Sequence, residues 1–441
     1  MTSVAEQVPA LAASVRVTPT ASAPERGGRI GVVDGARGAA IILVMLLHFS
    51  MYGHGLAPSG LLVDRLYYRV TEAAGVGVDL FLVVSGFLIT GILYDTKHSK
   101  RYFQNFYARR VLRIFPLYYC ALLLFLVVLP RLRPDHWGLQ MMSRDAPWYW
   151  AYLVNLKIAQ DGWPAFGALG HFWSLALQEQ FYLLWPVIVL ALNRRQLQIA
   201  CIVCIAGALA LRVALTIQGN ATAAFVLTPA RLDAVAVGAY IALAARGPTG
   251  LAPLARAARL NAPLLTVALM AIFVARKGFA GYDPFVLTVG HSIIAFFFGT
   301  VLLLAMTSAR GSVIVRVFDS KILRFFGKYS YGMYVFHHPM LFLKPGVLPL
   351  AIVPTIYGSQ LPRQLVFVLV ATAVSVVMGI ASWHLVEKQF LDLKKLFPYR
   401  RSRPAAEPQA LPSGGLVVAK TDASLSLPRE GELTVGAQPL L

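Results

Sequence analysis

The chain has 441 residues, of which 57% are hydrophobic and only 14% are charged, and its mean hydropathy is +0.64. An average soluble domain carries about 25% charged residues, so this composition excludes an ordinary soluble protein and indicates a membrane protein. Forty Lys and Arg residues against twenty Asp and Glu give a net charge of +20. Such an excess occurs in nucleic-acid-binding proteins, but in membrane proteins it collects in cytoplasmic loops.

The two ends of the chain differ from its middle. Residues 1–29 contain three prolines and no uninterrupted apolar core, which excludes a secretory signal and a spanning helix. Residues 396–441 are rich in Pro, Ser, Gly and Glu and show no helical period. We therefore expect a disordered cytoplasmic tail at each end and a single membrane domain over residues 30–395.

Ten apolar runs lie between these tails. A hydrocarbon core of about 30 Å takes about 20 helical residues, and each run approaches that length. The runs predict an all-α, multi-pass membrane protein with about ten transmembrane helices, located in the inner (plasma) membrane. They lie near residues 38–53, 74–94, 111–130, 172–192, 197–217, 226–245, 262–276, 285–307, 329–350 and 364–386. The apolar stretch 147–156 is too short to span and predicts a surface or re-entrant segment.

The basic residues indicate the orientation. An even number of crossings places both termini on one side of the membrane. With the N-terminus inside, most Lys and Arg residues fall in short inner segments, which predicts that both termini are cytoplasmic. This topology explains the net charge without nucleic-acid binding.

The cysteines indicate no redox or metal chemistry. Cys120, Cys201 and Cys204 all fall within apolar runs, which excludes a disulfide framework. The spacing of Cys201 and Cys204 also occurs in metal and redox pairs, but in a hydrophobic helix it more often marks two small packing residues. We expect no metal.

Ionisable side chains recur within the apolar runs. Each costs about 2.5 to 3.5 kcal/mol at the bilayer centre and is normally kept for a pathway or a reaction. Several helices contribute, so the pattern predicts a polar cavity inside the bundle. The residues are His48, Asp79, Arg113, Glu179, Arg231, Asp233, His291, His337 and His338.

The first helix carries Arg37 and His48, eleven residues apart. Eleven residues are close to three helical turns, so both side chains share a face, with His48 about 16 Å further along and near the membrane midplane. Asp34, one turn before Arg37, is placed to pair with it. The alternative is an ordinary anchoring arginine and a packing histidine.

Two later helices carry polar stripes. His171, Ser174 and Gln178 share one stripe with Glu179 at its edge, and Glu179 requires a partner such as Arg231 or a histidine. The second stripe comprises Ser330, Tyr334 and His337. The alternative for both is a helix contact built from polar side chains.

Arg109, Arg110 and Arg113 stand at the cytoplasmic entrance of the third helix. The planar guanidinium suits phosphate, so the cluster could hold the phosphates of a nucleotide-like cofactor, or it could only anchor the topology. The sequence has no Walker or GxGxxG loop, which makes ATP and dinucleotides poor candidates.

Six blocks of these residues resemble the acyltransferase 3 family of integral membrane acyltransferases, and they stand in the family's order. The blocks are Asp34-Gly35-Ala36-Arg37-Gly38 with His48-Phe49; Gly77-Val78-Asp79-Leu80-Phe81 with Ser85-Gly86-Phe87; Arg109-Arg110 with Arg113 and Pro116; His171-Phe172-Trp173-Ser174-Leu175 with Glu179-Gln180-Phe181-Tyr182; Arg231-Leu232-Asp233; and Ser330-Tyr331-Gly332 with His337 and Pro339. Two residues depart from the family pattern: Gln178 stands where many members have Glu, and Ala36 stands where Leu is common.

The resemblance implies transfer of an acyl group, usually acetyl from acetyl-CoA, to a hydroxyl. It implies that Arg37 and His48 are catalytic and that Arg110 and Arg113, with Arg109 beside them, bind the donor. Some members carry an additional extracytoplasmic esterase-like domain, and the short C-terminal tail leads us to expect none here.

These residues suggest further roles. His48 would act as general base or carry the acetyl group itself. Glu179 or Asp79 would orient His48, and Arg37 or Arg231 would stabilise the oxyanion. We assign acceptor binding to His171, Trp173, Arg231, Asp233 and His337.

The expected acceptor is a hydroxyl of a surface polysaccharide or lipid-linked glycan, with a macrolide or other small metabolite as the alternative. A proton-coupled secondary transporter would also bury such charges, but the expected repeated halves are not found. A relative that has lost activity is disfavoured by the presence of both Arg37 and His48.

Overall fold

The structure is a computed structural model that describes residues 26–51, 59–164, 167–342 and 353–399. Most of the two predicted tails lies outside these residues. The first helix begins at Arg26, so residues 26–29, which we assigned to the N-terminal tail, are helical. Residues 396–399, assigned to the C-terminal tail, pack against the membrane domain.

The described chain is built from α-helices, several of them joined by short 3₁₀ or π segments, and it contains no β-strand. The helices are α1 (Arg26–Met51), α2 (Leu62–Glu72), α3 (Gly77–Asp95), α4 (Tyr102–Leu123), α5 (Leu129–Leu132), α6 (Trp137–Arg144), α7 (Ala146–Trp150), α8 (Val154–Asp161), α9 (Trp173–Ala191), α10 (Arg194–Ile217), α11 (Ala221–Val226), α12 (Leu232–Ala244), α13 (Ala252–Ala275), α14 (His291–Thr307), α15 (Val313–Phe318), α16 (Lys321–His337), α17 (Leu361–Ser382) and α18 (Lys388–Asp392).

Eight helical segments within the described residues are long and apolar enough to cross a membrane, which confirms an all-α, multi-pass membrane protein. They are Gly31–Met51, Leu62–Asp95, Tyr102–Leu132, Gly170–Ala191, Arg194–Ile217, Ala252–Ala275, Val286–Thr307 and Leu361–Leu396. The other two predicted spans correspond to α12, with 13 residues, and α16, with 17 residues. The number of ten crossings and the side of the termini stay predictions.

Two helices that are distant in sequence, α1 and α16, cross through glycines. A Cβ atom at Gly38 would collide with the carbonyl oxygen of Leu323, and one at Gly327 with that of Asp34. Small residues let helix backbones approach closely in membranes. This crossing brings the polar face of α1 against the stripe of α16.

A second glycine crossing joins α3 to α12. A Cβ atom at Gly86 would meet the carbonyl oxygen of Val235, and one at Gly238 that of Val83. Most side chains of α12 are buried, so α12 lies inside the bundle. This position accounts for its length, because an internal helix surrounded by protein need not match the bilayer thickness.

The short apolar stretch 147–156 falls on α7 and α8, which have five and eight residues. Its prediction as a non-spanning segment is therefore confirmed. The hydroxyl of Tyr118 on α4 donates to the carbonyl oxygen of Tyr149 at 2.7 Å, which fixes this segment to the bundle.

Candidate active site

A cavity of about 930 Å³, including its open mouth, lies between α1, α3, α4, α9 and α16. Arg37, Arg110 and Arg113 line it from the middle of α1 and α4, and Ser174 and Tyr334 line it near the start of α9 and the end of α16. Apolar side chains of α3 form the wall between these groups. The cavity is therefore cationic at its arginine end and apolar along the α3 wall.

The arginine end is held by hydrogen bonds and ion pairs. Arg37 Nη2 donates to Ser330 Oγ at 3.2 Å, and Arg37 Nη1 lies 3.8 Å from Asp34 Oδ1, which confirms the expected Asp34 contact. Arg113 Nη1 lies 3.7 Å from Glu387 Oε2. These contacts keep both guanidinium groups at the cavity wall, where an anionic group would meet them.

Arg110 and Arg109 differ in position. The guanidinium of Arg110 lies 5.2 Å from the ring centre of Tyr182, and both residues reach the cavity. Arg109 turns to the C-terminal segment, where Nη1 donates to the carbonyl oxygens of Lys394 and Phe397 at 2.9 and 3.1 Å. The structure therefore brings two of the three predicted donor-binding arginines to the cavity.

A group of four histidines lies next to the part of the cavity that Ser174 and Tyr334 line. His48, His171 and His337 were predicted as site residues, and His338 joins them. The ring centres of His48 and His337 are 5.0 Å apart, and those of His171 and His338 are 4.8 Å apart. His171, His337 and His338 are buried. Three separate helical regions thus bring imidazoles into one group.

Backbone carbonyls determine which ring nitrogens carry protons. His48 Nδ1 lies 2.8 Å from the carbonyl oxygen of Val44, and His337 Nδ1 lies 2.8 Å from that of Tyr334. A carbonyl oxygen only accepts, so these contacts favour the Nδ1–H tautomer in both rings. The single Nδ1–H of His48 is then shared between the carbonyl oxygen of Val44 and His337 Nε2, which lies 3.2 Å away, and the lone pair of His48 is on Nε2.

Tyr334 joins the cavity to the histidines. Its hydroxyl donates to the carbonyl oxygen of His171 at 2.7 Å and lies 2.6 Å from Ser174 Oγ. Its own carbonyl oxygen is 3.0 Å from His171 Nε2 and also contacts His337. The predicted stripe of Ser330, Tyr334 and His337 therefore runs from the arginines to His48.

Asp79 and Arg231 belong to a different cluster. Arg231 Nη2 donates to Asp79 Oδ1 at 2.7 Å, and His291 Nδ1 lies 3.4 Å from Asp79 Oδ2. The structure thus pairs Asp79 with Arg231 instead of bringing it to His48, because the α3–α12 crossing sets the two side chains opposite each other. The ring of His337, in contrast, does contact His48.

Asp233 is similarly paired within the same cluster. Its Oδ2 accepts from Arg212 Nη2 at 2.6 Å and from Ser292 Oγ at 2.9 Å. Trp173 is buried, and its ring packs against that of Phe225 at 5.1 Å between centres. These contacts place Asp233 and Trp173 among α9, α10, α11, α12 and α14, apart from the residues that line the cavity, and their part in acceptor binding stays a prediction.

Glu179 has a different partner from the one expected. The charged group acting on its carboxylate is Arg110, and within the described residues Glu179 Oε1 accepts no hydrogen bond. We expected Arg231 or a histidine, but the turn of α9 carries Glu179 towards α4.

Several contacts of polar residues were not predicted from the sequence. The amide of Gln178 donates to Ser85 Oγ and to the hydroxyl of Tyr182, and all three line the cavity. Arg212 is buried and holds Asp233. Arg212 shares a predicted span with no acidic residue, so its partner could be found only from the packing of other helices.

In the described part of the chain, no group of three or more His, Cys, Asp or Glu side chains is placed to hold a metal ion. The three cysteines are free. The four histidines use ring nitrogens for carbonyl contacts instead.

The fold and site define a class: a multi-pass helical membrane protein whose arginine-lined cavity leads to buried histidines. The chain belongs to the acyltransferase 3 family, since the family model described as an acyltransferase domain matches residues 30–381. No solved structure gives a significant match.

Two curated relatives are O-acetyltransferases by name. The peptidoglycan O-acetyltransferase OatA of Listeria monocytogenes is 26% identical over 76% of this chain and 53% of its own length. The O-acetyltransferase OatA of Staphylococcus aureus is 25% identical over 64% of this chain and 48% of its own length. The chain therefore spans about half the length of the curated relatives that it matches.

Proposed function

We propose that this protein is a membrane-embedded O-acyltransferase that moves an acetyl group from cytoplasmic acetyl-CoA to a hydroxyl of a surface polysaccharide or lipid-linked glycan. The observation that carries the proposal is the polar stripe of α16, which contacts Arg37 through Ser330 at the cavity and His48 through His337. Family membership and the names of the relatives support the reaction class.

The donor fits the cavity by its charge and shape. Coenzyme A carries its phosphates at one end and its thiol at the other, with a long, less polar arm between them. Arginine binds phosphate through its planar fork, and the α3 wall offers Phe81, Leu82 and Leu88 to the arm. In the predicted topology the arginine end faces the cytoplasm, where acyl-CoA is available.

His48 is suited to the reaction by its tautomer. As general base, Nε2 takes the proton of the acceptor hydroxyl while the oxygen attacks the thioester carbonyl; the carbon–sulfur bond then breaks, and the thiolate leaves and is protonated. As acyl carrier, Nε2 attacks the thioester itself, and the acceptor later removes the acetyl group. Both routes use the lone pair that the Val44 and His337 contacts place on Nε2.

The acceptor side is proposed from position. His171 and His338 lie at the end of the site opposite the arginines. In the predicted topology this end faces outward, so the acceptor would enter there. The relatives' names support a cell-wall or other surface glycan. The plasma membrane is the location that gives one site access to both substrates.

Substitution of His48 tests the proposal most directly. His48→Ala is expected to reduce acetyl transfer by purified protein by a factor of about 10² to 10⁴, the usual contribution of a general base. CoA affinity is expected to stay unchanged, because the phosphates bind at the other end. The measurement uses acetyl-CoA labelled in the acetyl group, protein in nanodiscs and isolated cell-wall glycan.

His98→Ala provides the matched control, because His98 is exposed at the end of α3. It should leave transfer unchanged. Near-normal turnover of the His48 variant would contradict the proposed role. Absence of CoA binding by the unsubstituted protein would contradict the donor.

A further inference from the structure

One face of α9 carries a row of polar side chains along the cavity. Ser174, Gln178 and Tyr182 all line the cavity and are spaced by four residues, so each lies about 6 Å further along the helix than the one before. Ser174 Oγ is 2.6 Å from the hydroxyl of Tyr334, and the ring centre of Tyr182 is 5.2 Å from the guanidinium of Arg110. Gln178 therefore lies midway between the part of the cavity next to the histidines and the arginine end.

The α3 wall has a polar side chain at the same level. Of the α3 residues that line the cavity, Ser85 is polar and the others are apolar. The amide nitrogen of Gln178 donates to Ser85 Oγ and to the hydroxyl of Tyr182. Ser85, Gln178 and Tyr182, which we call the middle polar group, thus join α3 to α9 halfway along the cavity.

The middle polar group has hydrogen-bonding capacity left over. The amide nitrogen of Gln178 carries two protons and uses both, one on each hydroxyl oxygen. Ser85 and Tyr182 also contact each other, so they can share one hydroxyl proton and keep the second. No donor within the described residues reaches Gln178 Oε1. One acceptor and one donor therefore remain for a ligand in the cavity.

An amide is the ligand group that matches one acceptor and one donor, because its N–H donates and its carbonyl oxygen accepts. An amide that enters an apolar cavity loses its hydrogen bonds to water, which is unfavourable unless the cavity supplies partners. The middle polar group supplies such partners at one level of a largely apolar wall. The arm of coenzyme A contains two amides between its thiol and its phosphates.

We propose that the middle polar group binds an amide of the pantetheine arm of the donor. Gln178 Oε1 accepts from the N–H of this amide, and a hydroxyl of Ser85 or Tyr182 donates to its carbonyl oxygen. The inference rests on the proposed function, since it requires the phosphates at the arginines and the thioester towards His48. Removal of the group should therefore weaken coenzyme A binding without disturbing the contacts of the phosphates.

The experiment measures CoA binding by calorimetry to the full chain in phosphatidylcholine nanodiscs. Gln178→Met keeps the length of the side chain and removes both hydrogen-bonding atoms, and it is expected to weaken CoA binding by about tenfold. Ser85→Ala is expected to weaken binding by about threefold, since the hydroxyl of Tyr182 remains. Gln218→Met is the matched control, because Gln218 is exposed at the end of α10, and it should bind CoA normally.

Two readouts separate amide binding from other roles of the group. Without ligand, Gln178→Met should melt at the same temperature as the original protein, because the two side chains have similar volumes. The affinity difference should persist as salt is raised, since salt screens phosphate contacts but not hydrogen bonds between uncharged groups. A loss of CoA affinity that comes with a lower melting temperature, or that shrinks at high salt, would overturn the inference.

The remaining outcomes are also decisive. Equal CoA affinity of Gln178→Met and the original protein would overturn the inference and leave the proposed donor intact. A raised KM for the glycan at equal CoA affinity would assign the middle polar group to the acceptor and also overturn the inference. Absence of CoA binding by the original protein would remove the proposed donor and this inference together.

Discussion

Two regions of this protein bury charged side chains, and they differ in how the charges are matched. In the cluster of α3, α10, α12 and α14, each arginine has a carboxylate: Arg231 holds Asp79 and Arg212 holds Asp233. At the cavity the ion pairs are looser, with Arg37 3.8 Å from Asp34 and Arg113 3.7 Å from Glu387, and both guanidinium groups also line open volume. Buried charge alone therefore does not mark the site; loosely paired charge that lines a cavity does.

The largest expected effect comes from breaking a matched pair. Arg212→Ala leaves Asp233 buried with an uncompensated charge, which is expected to destabilise the fold by about 3 to 5 kcal/mol. The measurement is thermal unfolding in detergent, compared with Arg37→Ala. Arg37 lines the cavity and its partner Asp34 has a side chain that is 37% exposed, so removal of Arg37 should cost little stability and reduce CoA affinity. Equal destabilisation by both variants would remove the distinction between the two regions.

A double variant sharpens the same comparison. Arg212→Met combined with Asp233→Leu removes both charges, and we expect it to recover most of the stability lost by Arg212→Ala. Acetyl transfer should recover with it, because this cluster supports the helices and does not contact the donor. Recovery of the fold without recovery of transfer would assign the cluster a part in the reaction.

A smaller effect is expected at the crossing of α1 and α16. Gly327→Ala places a Cβ atom against the carbonyl oxygen of Asp34, and the resulting overpacking is expected to cost about 1 to 3 kcal/mol. Transfer should fall as well, since the crossing sets Arg37 beside Ser330. Gly207→Ala is the control, because this glycine of α10 has open space around its Cβ position. Normal transfer by Gly327→Ala would show that the crossing does not position the site.

The smallest effect is expected at Ser330. Ser330→Ala removes the hydroxyl that accepts from Arg37 Nη2, a hydrogen bond worth about 1 kcal/mol. We expect a several-fold rise in KM for acetyl-CoA with little change in melting temperature. Steady-state kinetics over a range of donor concentrations measures this rise in KM. A fall in kcat at unchanged KM would instead place Arg37 in the chemical step.

Helical spacing predicted much of the site from sequence alone. The eleven-residue interval of Arg37 and His48, and the stripe of Ser330, Tyr334 and His337, define faces that the structure shows in contact. The contact between Asp34 and Arg37 followed from their spacing of one helical turn. These features lie within one helix each, so the 3.6-residue period suffices to find them.

Contacts between different helices were harder to predict from the sequence. Asp79 meets Arg231 because Gly86 and Gly238 let α3 and α12 approach, and no pattern within either helix specifies that partner. The burial of Lys394 was not predicted either. Its carbonyl oxygen accepts from Arg109, 285 positions earlier, and only the tertiary packing reveals this contact.

The glycine crossing of α1 and α16 also limits how the protein can work. With their backbones in direct contact, Arg37, Ser330, His48 and His337 form one rigid unit, and the two helices cannot rock apart without losing it. Exposure of the site to opposite sides of the membrane in turn, as in a carrier, would require that separation. The proposed reaction would therefore take place at a stationary centre to which both reactants come, without either of them being carried across the membrane.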